Sequence, residues 1–474
     1  MRKLLAISAL FCCVVVAHAR IILPPLIGDR MVLQQQDDII LKGHASGKNV
    51  CFSASWIDGE IEVPVLDGKF EVQIKTPVAS RNPQIMTFRD KDSEIVISDI
   101  LIGEVWICSG QSNMEMTMRG FSGQPIKESL QTVMQSSKYS DLVHVFSVSR
   151  VVAERPRPTA RGQWIKASPD KIMNVSATAY HFAVALADAL QIPVGVITAS
   201  RSSSAIEAWM PKEILKEQFG YDVEAINANP DIRDVAKCGM YYNGMLVPLF
   251  GYSARGFLWY QGESNRHAPE KYPSLMEAMV KDWRKNWGDT DNQMPFIFVQ
   301  IAPYSYGNVN GAEVPRIVEA QVKSLELIPN SAIVATTDIG EENCIHPSDK
   351  KTVGMRAAVE ALRLSYGIDI PDASGMMCTK VEYSPDKVVL SFKNASYGFT
   401  PVDEVRGFEL SGTDGRFYPA VVEVAKNKKS LILTSAHVAQ PVGVRYAYKN
   451  WPECNLKNSL GYPLLPFCDV RNPQ

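Results

Sequence analysis

The sequence predicts an α/β protein: a parallel sheet with helices on both faces, flanked by β-rich regions at its two ends. Three observations carry this prediction. In the middle of the chain, short continuous apolar runs alternate with segments of helical period, the pattern of strands covered on both faces by crossover helices. Toward both ends the texture is strand and turn. The composition of the 474 residues, 46% hydrophobic and 21% charged with 30 Gly and 29 Pro, is globular and excludes disordered, collagen-like and coiled-coil classes. The length exceeds what one core organises, so more than one domain is expected.

The chain opens on a leader. Arg2 and Lys3 form a basic region, Leu4 to Val16 is an apolar run broken by Ser8, and Ala17-His18-Ala19 is a small-x-small cleavage site. Residues 1–19 therefore read as a secretory signal peptide. A lipoprotein cleavage at Cys12 or Cys13 is the alternative, disfavoured by the bulky Phe11 before the cysteines. The apolar run is too short to span a bilayer, and no later stretch is long enough. An exported protein without a membrane span is expected, in the periplasm or outside the cell.

Residues 20–100 read as an N-terminal β-rich domain. Met31-Val32-Leu33, Ile39-Ile40-Leu41 and Phe70 to Ile74 are strand-like, with turns at Gly28-Asp29, Ala45-Ser46-Gly47 and Asp67-Gly68. Residues 101–370 read as the α/β domain. Its strands are Val105–Cys108, Val194–Thr198, Phe257–Tyr260, Phe296–Ile301 and Ile333–Thr336, and its helices include Thr178–Leu190, Ile317–Leu327 and Val353–Leu364. Weaker patterning at about 210–251 suggests an insertion. Residues 371–474 return to β texture, with strands at Lys387–Phe392, Gly407–Leu410 and Leu431–Thr434. The two β regions are either separate sandwiches or halves of one.

Lysine and arginine number 49 against 51 acidic residues, so no basic excess exists to neutralise phosphates, and nucleic acid is not an expected partner. Seven cysteines follow the leader, scattered and without metal-ligand spacing. Cys454 and Cys468 alone are close enough late in the chain to suggest a bridge.

Four polar segments follow predicted strands, where the sites of open parallel sheets form. The first is Gly110-Gln111-Ser112-Asn113-Met114: a serine after a strand presents its hydroxyl and offers its N–H to an oxyanion, though serine is equally a helix cap. The second is Arg201-Ser202-Ser203-Ser204, whose free N–H groups suit an anion. The third is Gln261-Gly262-Glu263-Ser264-Asn265, where Gln261 or Asn265 offers a side-chain amide. The fourth is Cys344-Ile345-His346-Pro347. The order strand, loop, histidine, helix sets His346 on the same sheet edge as Ser112. A serine hydroxyl needs a base within hydrogen-bond reach, and imidazole supplies one near neutral pH.

This constellation resembles the SGNH (GDSL-like) hydrolase superfamily and, within it, the sialate O-acetylesterase family. The residues that carry the resemblance are GQSNM at Gly110–Met114, EAWM at Glu207–Met210, WYQGESN at Trp259–Asn265 and IHP at Ile345–Pro347, with the opening Gly28–Gln34 and the late Tyr446–Asn458 segments beside them. The resemblance covers nearly the whole mature chain. It implies a flavodoxin-like three-layer α/β/α sheet flanked by N- and C-terminal β-sandwich regions. It implies a secreted serine esterase that removes O-acetyl groups from a carbohydrate, sialic acid first among them, through an acetyl-enzyme on Ser112 with His346 as base. The oxyanion hole would combine Ser112, Ser203 and Gln261. Gln111, Arg201 and Asn265 would contact substrate. No metal or organic cofactor is implied.

Two departures stand out. Relatives carry Gly-Gly where this chain has Ser202-Ser203, a change that preserves N–H donation unless the loop needs positive φ. Arg201 replaces a common tryptophan and suits a sugar carboxylate. Many SGNH enzymes also place an aspartate three residues before the histidine, and here that residue is Asn343. Asn343, Glu341, Glu342 and Asp338 are the candidates for orienting His346; otherwise the site is a Ser-His dyad. The competing readings are an acetylesterase of xylan or another plant glycan, which shares these motifs, and a catalytically silent glycan-binding protein, which would not need both Ser112 and His346.

Overall fold

The computed structural model describes residues 21–471. The leader expected at residues 1–19 lies outside the described residues. No helix among the described residues is long and apolar enough to cross a membrane.

The chain begins with strands β1 (Val32–Gln34), β2 (Asp38–His44), β3 (Asn49–Ala54), β4 (Ile61–Pro64), β5 (Lys69–Lys75) and β6 (Ser80–Arg89). In β2 and β5 buried and exposed residues alternate strictly, so one face packs and the other meets water. Strand β7 (Glu94–Gly110) pairs with β6 over its first half and is buried without interruption from Ile100 onward. It thereby runs from the N-terminal β region into the central sheet.

Past β7 come α1 (Ser112–Glu115), α2 (Ser129–Gln135), β8 (Val143–Ser147), β9 (Trp164–Lys166), α3 (Ala177–Leu190), β10 (Val194–Ser200), α4 (Lys212–Phe219), α5 (Val223–Ala228), β11 (Gly256–Tyr260), α6 (Tyr272–Asn286), β12 (Phe296–Val299), α7 (Glu313–Leu327), β13 (Ser331–Val334) and α8 (Lys350–Tyr366). The sheet runs β13-β12-β11-β7-β10-β8-β9, parallel except for β9. With β8 and β9 set aside as an added edge, β7 is flanked by β10 and β11, a doubly wound order whose switch point lies at the end of β7.

Alternate residues of these strands enter two cores. Val105, Ile107, Phe257, Trp259, Phe296 and Phe298 pack with α6 and α7. Trp106, Cys108, Leu258, Tyr260, Ile297 and Val299 pack with α3 and α8. The local signals for these helices are plain. Ser176 caps α3 by accepting from the Ala179 N–H, and Asp349 caps α8 by accepting from the Thr352 N–H. Gly367 ends α8 in the left-handed conformation at φ 64°. Gly354 lets α8 lie against α3: a Cβ there would come 2.6 Å from His181 Cβ.

The remaining strands are β14 (Met377–Tyr383), β15 (Val388–Lys393), β16 (Phe408–Ser411), β17 (Phe417–Pro419), β18 (Val421–Val424), β19 (Ser430–Thr434), β20 (Gly443–Tyr446) and β21 (Phe467–Val470). They form two four-stranded sheets, β14-β15-β19-β18 and β17-β16-β20-β21, around their own core. N- and C-terminal strands share no sheet. Cys454 and Cys468 are both free thiols, contrary to the bridge their spacing suggests. Cys468 lies on β21, while Cys454 packs in a loop against Gly407.

Glu104, in the middle of β7 and fully buried, accepts from Gln34 Nε2 (3.1 Å), Gln35 Nε2 (2.6 Å), Arg255 Nε (2.7 Å) and the Tyr366 hydroxyl (2.9 Å). One carboxylate thus joins the N-terminal strands, the entry to β11 and the end of α8. Removing it leaves a guanidinium and several donors unpaired. Glu104→Ala is expected to cost about 3 kcal/mol in urea-induced unfolding, and a loss below about 1 kcal/mol would show that these parts hold together without it.

Candidate active site

All four polar segments emerge at the C-terminal edge of the parallel sheet. Strand β7 ends at Gly110, whose φ of 140° and contact with β11 admit no side chain: a Cβ would lie 2.2 Å from the Tyr260 oxygen. The chain then turns into the single helical turn α1. Gln111 anchors this turn. Its backbone N–H donates to the Tyr260 carbonyl (2.9 Å), and its side-chain oxygen accepts the N–H groups of Gly262 (3.4 Å) and Ser264 (3.2 Å). Ser112 is 5% exposed and its N–H stands in the first turn of α1, where no intrahelical carbonyl can accept it.

Among the described residues no hydrogen bond joins Ser112 Oγ to the His346 ring. Their neighbours are joined instead. Asn113 Nδ2 donates to the Ile345 carbonyl (3.2 Å) and to Glu263 Oε1 (2.6 Å), and Asn113 Oδ1 accepts from Lys350 Nζ (2.5 Å). The first, third and fourth segments therefore meet at one amide. Nucleophile and base commonly draw into line only when substrate is bound.

His346 is oriented by a residue that spacing does not reveal. Its Nδ1 lies 2.7 Å from Gln124 Oε1, and the Phe121 ring meets it edge-on at 5.0 Å between centroids. A carbonyl oxygen can only accept, so Nδ1 carries the proton and Nε2 keeps its lone pair. Burial, with the Lys350 ammonium nearby, lowers the imidazole pKa to about 4. Gln124 sits in a tight turn closed by reciprocal bonds to Phe121 (3.0 Å each way). The turn is docked on the histidine loop by the Lys127 N–H to the Ser348 carbonyl (3.0 Å) and by Lys127 Nζ to Asp349 (3.1 Å).

The expected orienting residues do not reach the ring. Asp338 is clamped by Arg356 (2.8 and 2.9 Å) and by Lys457 (2.7 Å), which hold its carboxyl below the usual carboxylate range against the opposing effect of burial. Glu342 is exposed and contributes its backbone carbonyl to the Ser305 N–H (3.2 Å). Asn343 is exposed and makes no side-chain bond to His346. The loop turns these side chains outward while Gln124 fills the place of the acid.

The oxyanion assignments divide. Ser203 has φ 62°, so this loop does require the left-handed conformation that glycine takes freely. The serine accepts the strain, and neighbouring contacts hold it there: Glu115 Oε2 accepts both the N–H and the hydroxyl of Ser202. Gln261 is excluded as an oxyanion donor. It is fully buried, and its amide nitrogen donates to the Ser204 carbonyl (3.1 Å) and to Asn265 Oδ1 (2.7 Å), which uses both hydrogens. Asn265 accepts the Ile206 N–H (3.0 Å) and donates to Glu207 (3.0 Å), linking EAWM to WYQGESN. The amides with an N–H still uncommitted are those of Gln111 and Asn265. Arg201 is not a free cation: its guanidinium lies 3.7 Å from Glu115, and its backbone N–H donates to the Gly110 carbonyl (3.0 Å). No group of three or more His, Cys, Asp or Glu side chains placed for a metal occurs among the described residues.

Asn113, Glu115, Gln124 and Lys350 all escape the sequence reading. Asn113 was within the nucleophile motif. The Gly120 to Gln124 stretch carried a turn signal, but nothing local ties that turn to a histidine far along the chain.

The family model for carbohydrate esterases described as sialic acid-specific acetylesterases matches residues 102–363. The chain belongs to this family. It is a carboxylic ester hydrolase, and the match spans every segment of the site, from β7 into α8. The human sialate O-acetylesterase is 27% identical over 474 aligned positions, covering 92% of this chain and 86% of that protein. The mouse sialate O-acetylesterase is 26% identical, covering 83% of this chain and 79% of that one. A crystal structure of a carbohydrate acetylesterase from Xanthomonas citri superposes with a TM-score of 0.85 at 28% identity, covering 95% of this chain and 99% of that one. The family supports hydrolysis of O-acetyl esters on glycans.

Two outcomes follow for this esterase. With the imidazole pKa near 4, the uncharged base persists well below neutrality, so kcat/KM is expected to hold from pH 8 down to about 5 and to fall as pH drops through about 4. Gln124→Ala is expected to lower kcat by roughly 10- to 100-fold, and Gln124→Glu to move the acid limb to higher pH, because a carboxylate favours the imidazolium. An acid limb near 6.5 in the wild type would contradict this geometry. Separately, Ser203→Gly is expected to raise unfolding stability by up to about 1 kcal/mol through relief of the left-handed serine, read from denaturant midpoints.

Proposed function

We propose that this hydrolase is an exported serine esterase that removes O-acetyl groups from sialic acid through an acetyl-enzyme on Ser112. The observation that carries the reading is the Asn113 bridge, which ties the turn that holds Ser112 to the loop that holds His346, whose Nδ1 donates to Gln124 and leaves Nε2 the lone pair. The leader motif supports export. The flavodoxin-like strand order and the two cores on either side of the sheet support an SGNH-type three-layer architecture, with β-rich regions at about 20–100 and 371–474 around the hydrolase domain.

In the proposed reaction His346 Nε2 takes the Ser112 proton as Oγ attacks the acetyl carbonyl. The oxyanion is met by the N–H groups of Ser112 and Ser203 and by the amide of Gln111 or Asn265. The imidazolium then protonates the sugar oxygen, which leaves, and Ser112 holds the acetyl group. His346 next takes a proton from water, which attacks the same carbonyl. Acetate departs, and His346 returns the proton to Ser112. Gln124 holds the tautomer throughout by accepting from Nδ1, offering the imidazolium a dipole where an acid would offer a charge.

Sialic acid as the sugar that carries the acetyl group is supported by the family description and by the names of the human and mouse relatives. A neutral plant glycan is the second reading. One observation favours it: Arg201, the cation of the second segment, is already faced by Glu115.

Acetate release from O-acetylated sialic acid and from acetylated xylan decides between them. Release from sialic acid, lost by at least about 10³-fold in Ser112→Ala and in His346→Ala, is the expected result. Release from xylan alone would keep the mechanism and replace the substrate. Full activity in Ser112→Ala would overturn the acetyl-enzyme.

A further inference from the structure

Lys350 opens α8 and is completely buried. Its ammonium donates to Asn113 Oδ1 at 2.5 Å and lies 5.5 Å from the centre of the Tyr260 ring. A buried ammonium is costly, and an apolar side chain of similar size would fill the same space at lower cost. The position is explained by what the ammonium does to Asn113. An amide side chain can sit either way round, but Lys350 can only donate, so it takes the oxygen. Nδ2 is thereby turned toward Glu263 Oε1 (2.6 Å) and the Ile345 carbonyl (3.2 Å). The backbone of Asn113 is held separately, by the Thr178 hydroxyl donating to its carbonyl (3.1 Å). Asn113 follows Ser112, and Ile345 precedes His346.

We propose that Lys350 is a positioning residue of this esterase: through the Asn113 amide its ammonium locks the Ser112 turn to the His346 loop. This rests on Ser112 and His346 being the reacting pair. The same ammonium is the charged group that faces His346, whose other neighbours are Gln124 and Phe121. Facing Lys350 in turn are Glu263 on the third segment and Glu341, Cys344 and Asp349 on its own loop. Burial outweighs these carboxylates and brings the lysine down to about 7, while Glu263, also buried, is pushed up. The lysine therefore has two separable effects, a hydrogen bond that aligns Asn113 and a charge that adds to burial in favouring the neutral imidazole.

Two variants separate them, assayed on the full-length mature protein with a small aryl acetate. Lys350→Met removes both donor and charge. Lys350→Gln removes the charge and keeps an N–H for Asn113 Oδ1. Lys350→Met is expected to lower kcat by at least about 10-fold while KM changes by less than about 3-fold. Lys350→Gln is expected to recover most of that kcat. Both are expected to move the acid limb of the pH profile to higher pH, because both remove the cation beside His346. Wild-type kcat in Lys350→Met, an unmoved acid limb in both variants, or Lys350→Gln no better than Lys350→Met would overturn the proposal. If Lys350→Met does not fold, Asn113→Ala decides instead: it removes the amide that the ammonium fixes and is expected to lower kcat by at least about 10-fold with KM within about 3-fold, and wild-type kcat there would overturn the proposal. Hydrolysis abolished by Ser112→Ala yet indifferent to Lys350 defeats the positioning role only. Hydrolysis indifferent to Ser112→Ala defeats the site reading beneath it.

Discussion

The contact on which the site depends is the one between the end of β7 and the end of β11. Gly110 pairs in register with Tyr260, and no Cβ fits between them. That closeness lets the Gln111 N–H reach the Tyr260 carbonyl and lets the Gln111 side chain hold the Gly262 and Ser264 N–H groups. On its other edge β7 pairs with β10 as far as Ser200, so the second segment leaves the sheet at the same height. Three loops from three strands are thus stacked by backbone hydrogen bonding before any side-chain chemistry is considered. The fourth is brought in by Asn113.

The electrostatics around His346 differ from those of a charged triad. An acid behind the ring would raise the basicity of Nε2 and stabilise the imidazolium formed when serine attacks. Here the partner is a neutral amide, and a lysine is close enough to act on the ring electrostatically. Both choices favour the uncharged ring. Such a base is always in the right protonation state at neutral pH, but it is weaker, and its charged form gains less from its surroundings. In the proposed reaction, more of the stabilisation in the transition state would then come from the oxyanion side, for which Ser112 and Ser203 are the proposed backbone donors.

Much of this was legible in the chain. Strands β7, β10, β11, β12 and β13 were readable because burial on both faces demands continuous apolar runs, and α3 and α8 because cap, period and stop signal agree. Helix α6 was readable in principle, since Leu275, Met276, Met279 and Trp283 recur at helical spacing, but its many charged residues mask the stripe. Strand β8 is short and lies in a stretch otherwise without regular pattern. The motif residues could be placed at one sheet edge from topology alone. Their partners could not. Gln124 reaches His346 from 222 positions away, and Lys350 reaches Asn113 from 237. A search three residues before the histidine tests a local position, whereas the place of the acid is filled by tertiary docking. Gln261 illustrates the converse: its motif suggested a donor, yet burial commits both of its hydrogens within the core.

Several of the costs in this fold lie at one edge of the sheet. Ser203 holds a left-handed backbone, Lys350 and Glu263 are buried charges or near-charges, and Glu263 Oε2 and the Tyr260 hydroxyl have no hydrogen-bond partner. Elsewhere, Glu104 and Arg284 are bonded on several sides, while single atoms of His144, His181 and Ser411 lack a partner. Strain and unsatisfied polarity that persist in a well-packed chain have to be held in place by their surroundings. At this edge the groups follow Asn113 outward. Glu263 receives one of its hydrogens, Lys350 fixes its oxygen, and the ring of Tyr260 closes over the lysine. These groups are poorly chosen for a core and well chosen for holding two loops at a set distance. The hydrolase keeps its stability in the two faces of the sheet and spends part of it in a polar layer that aligns a serine with a neutral histidine.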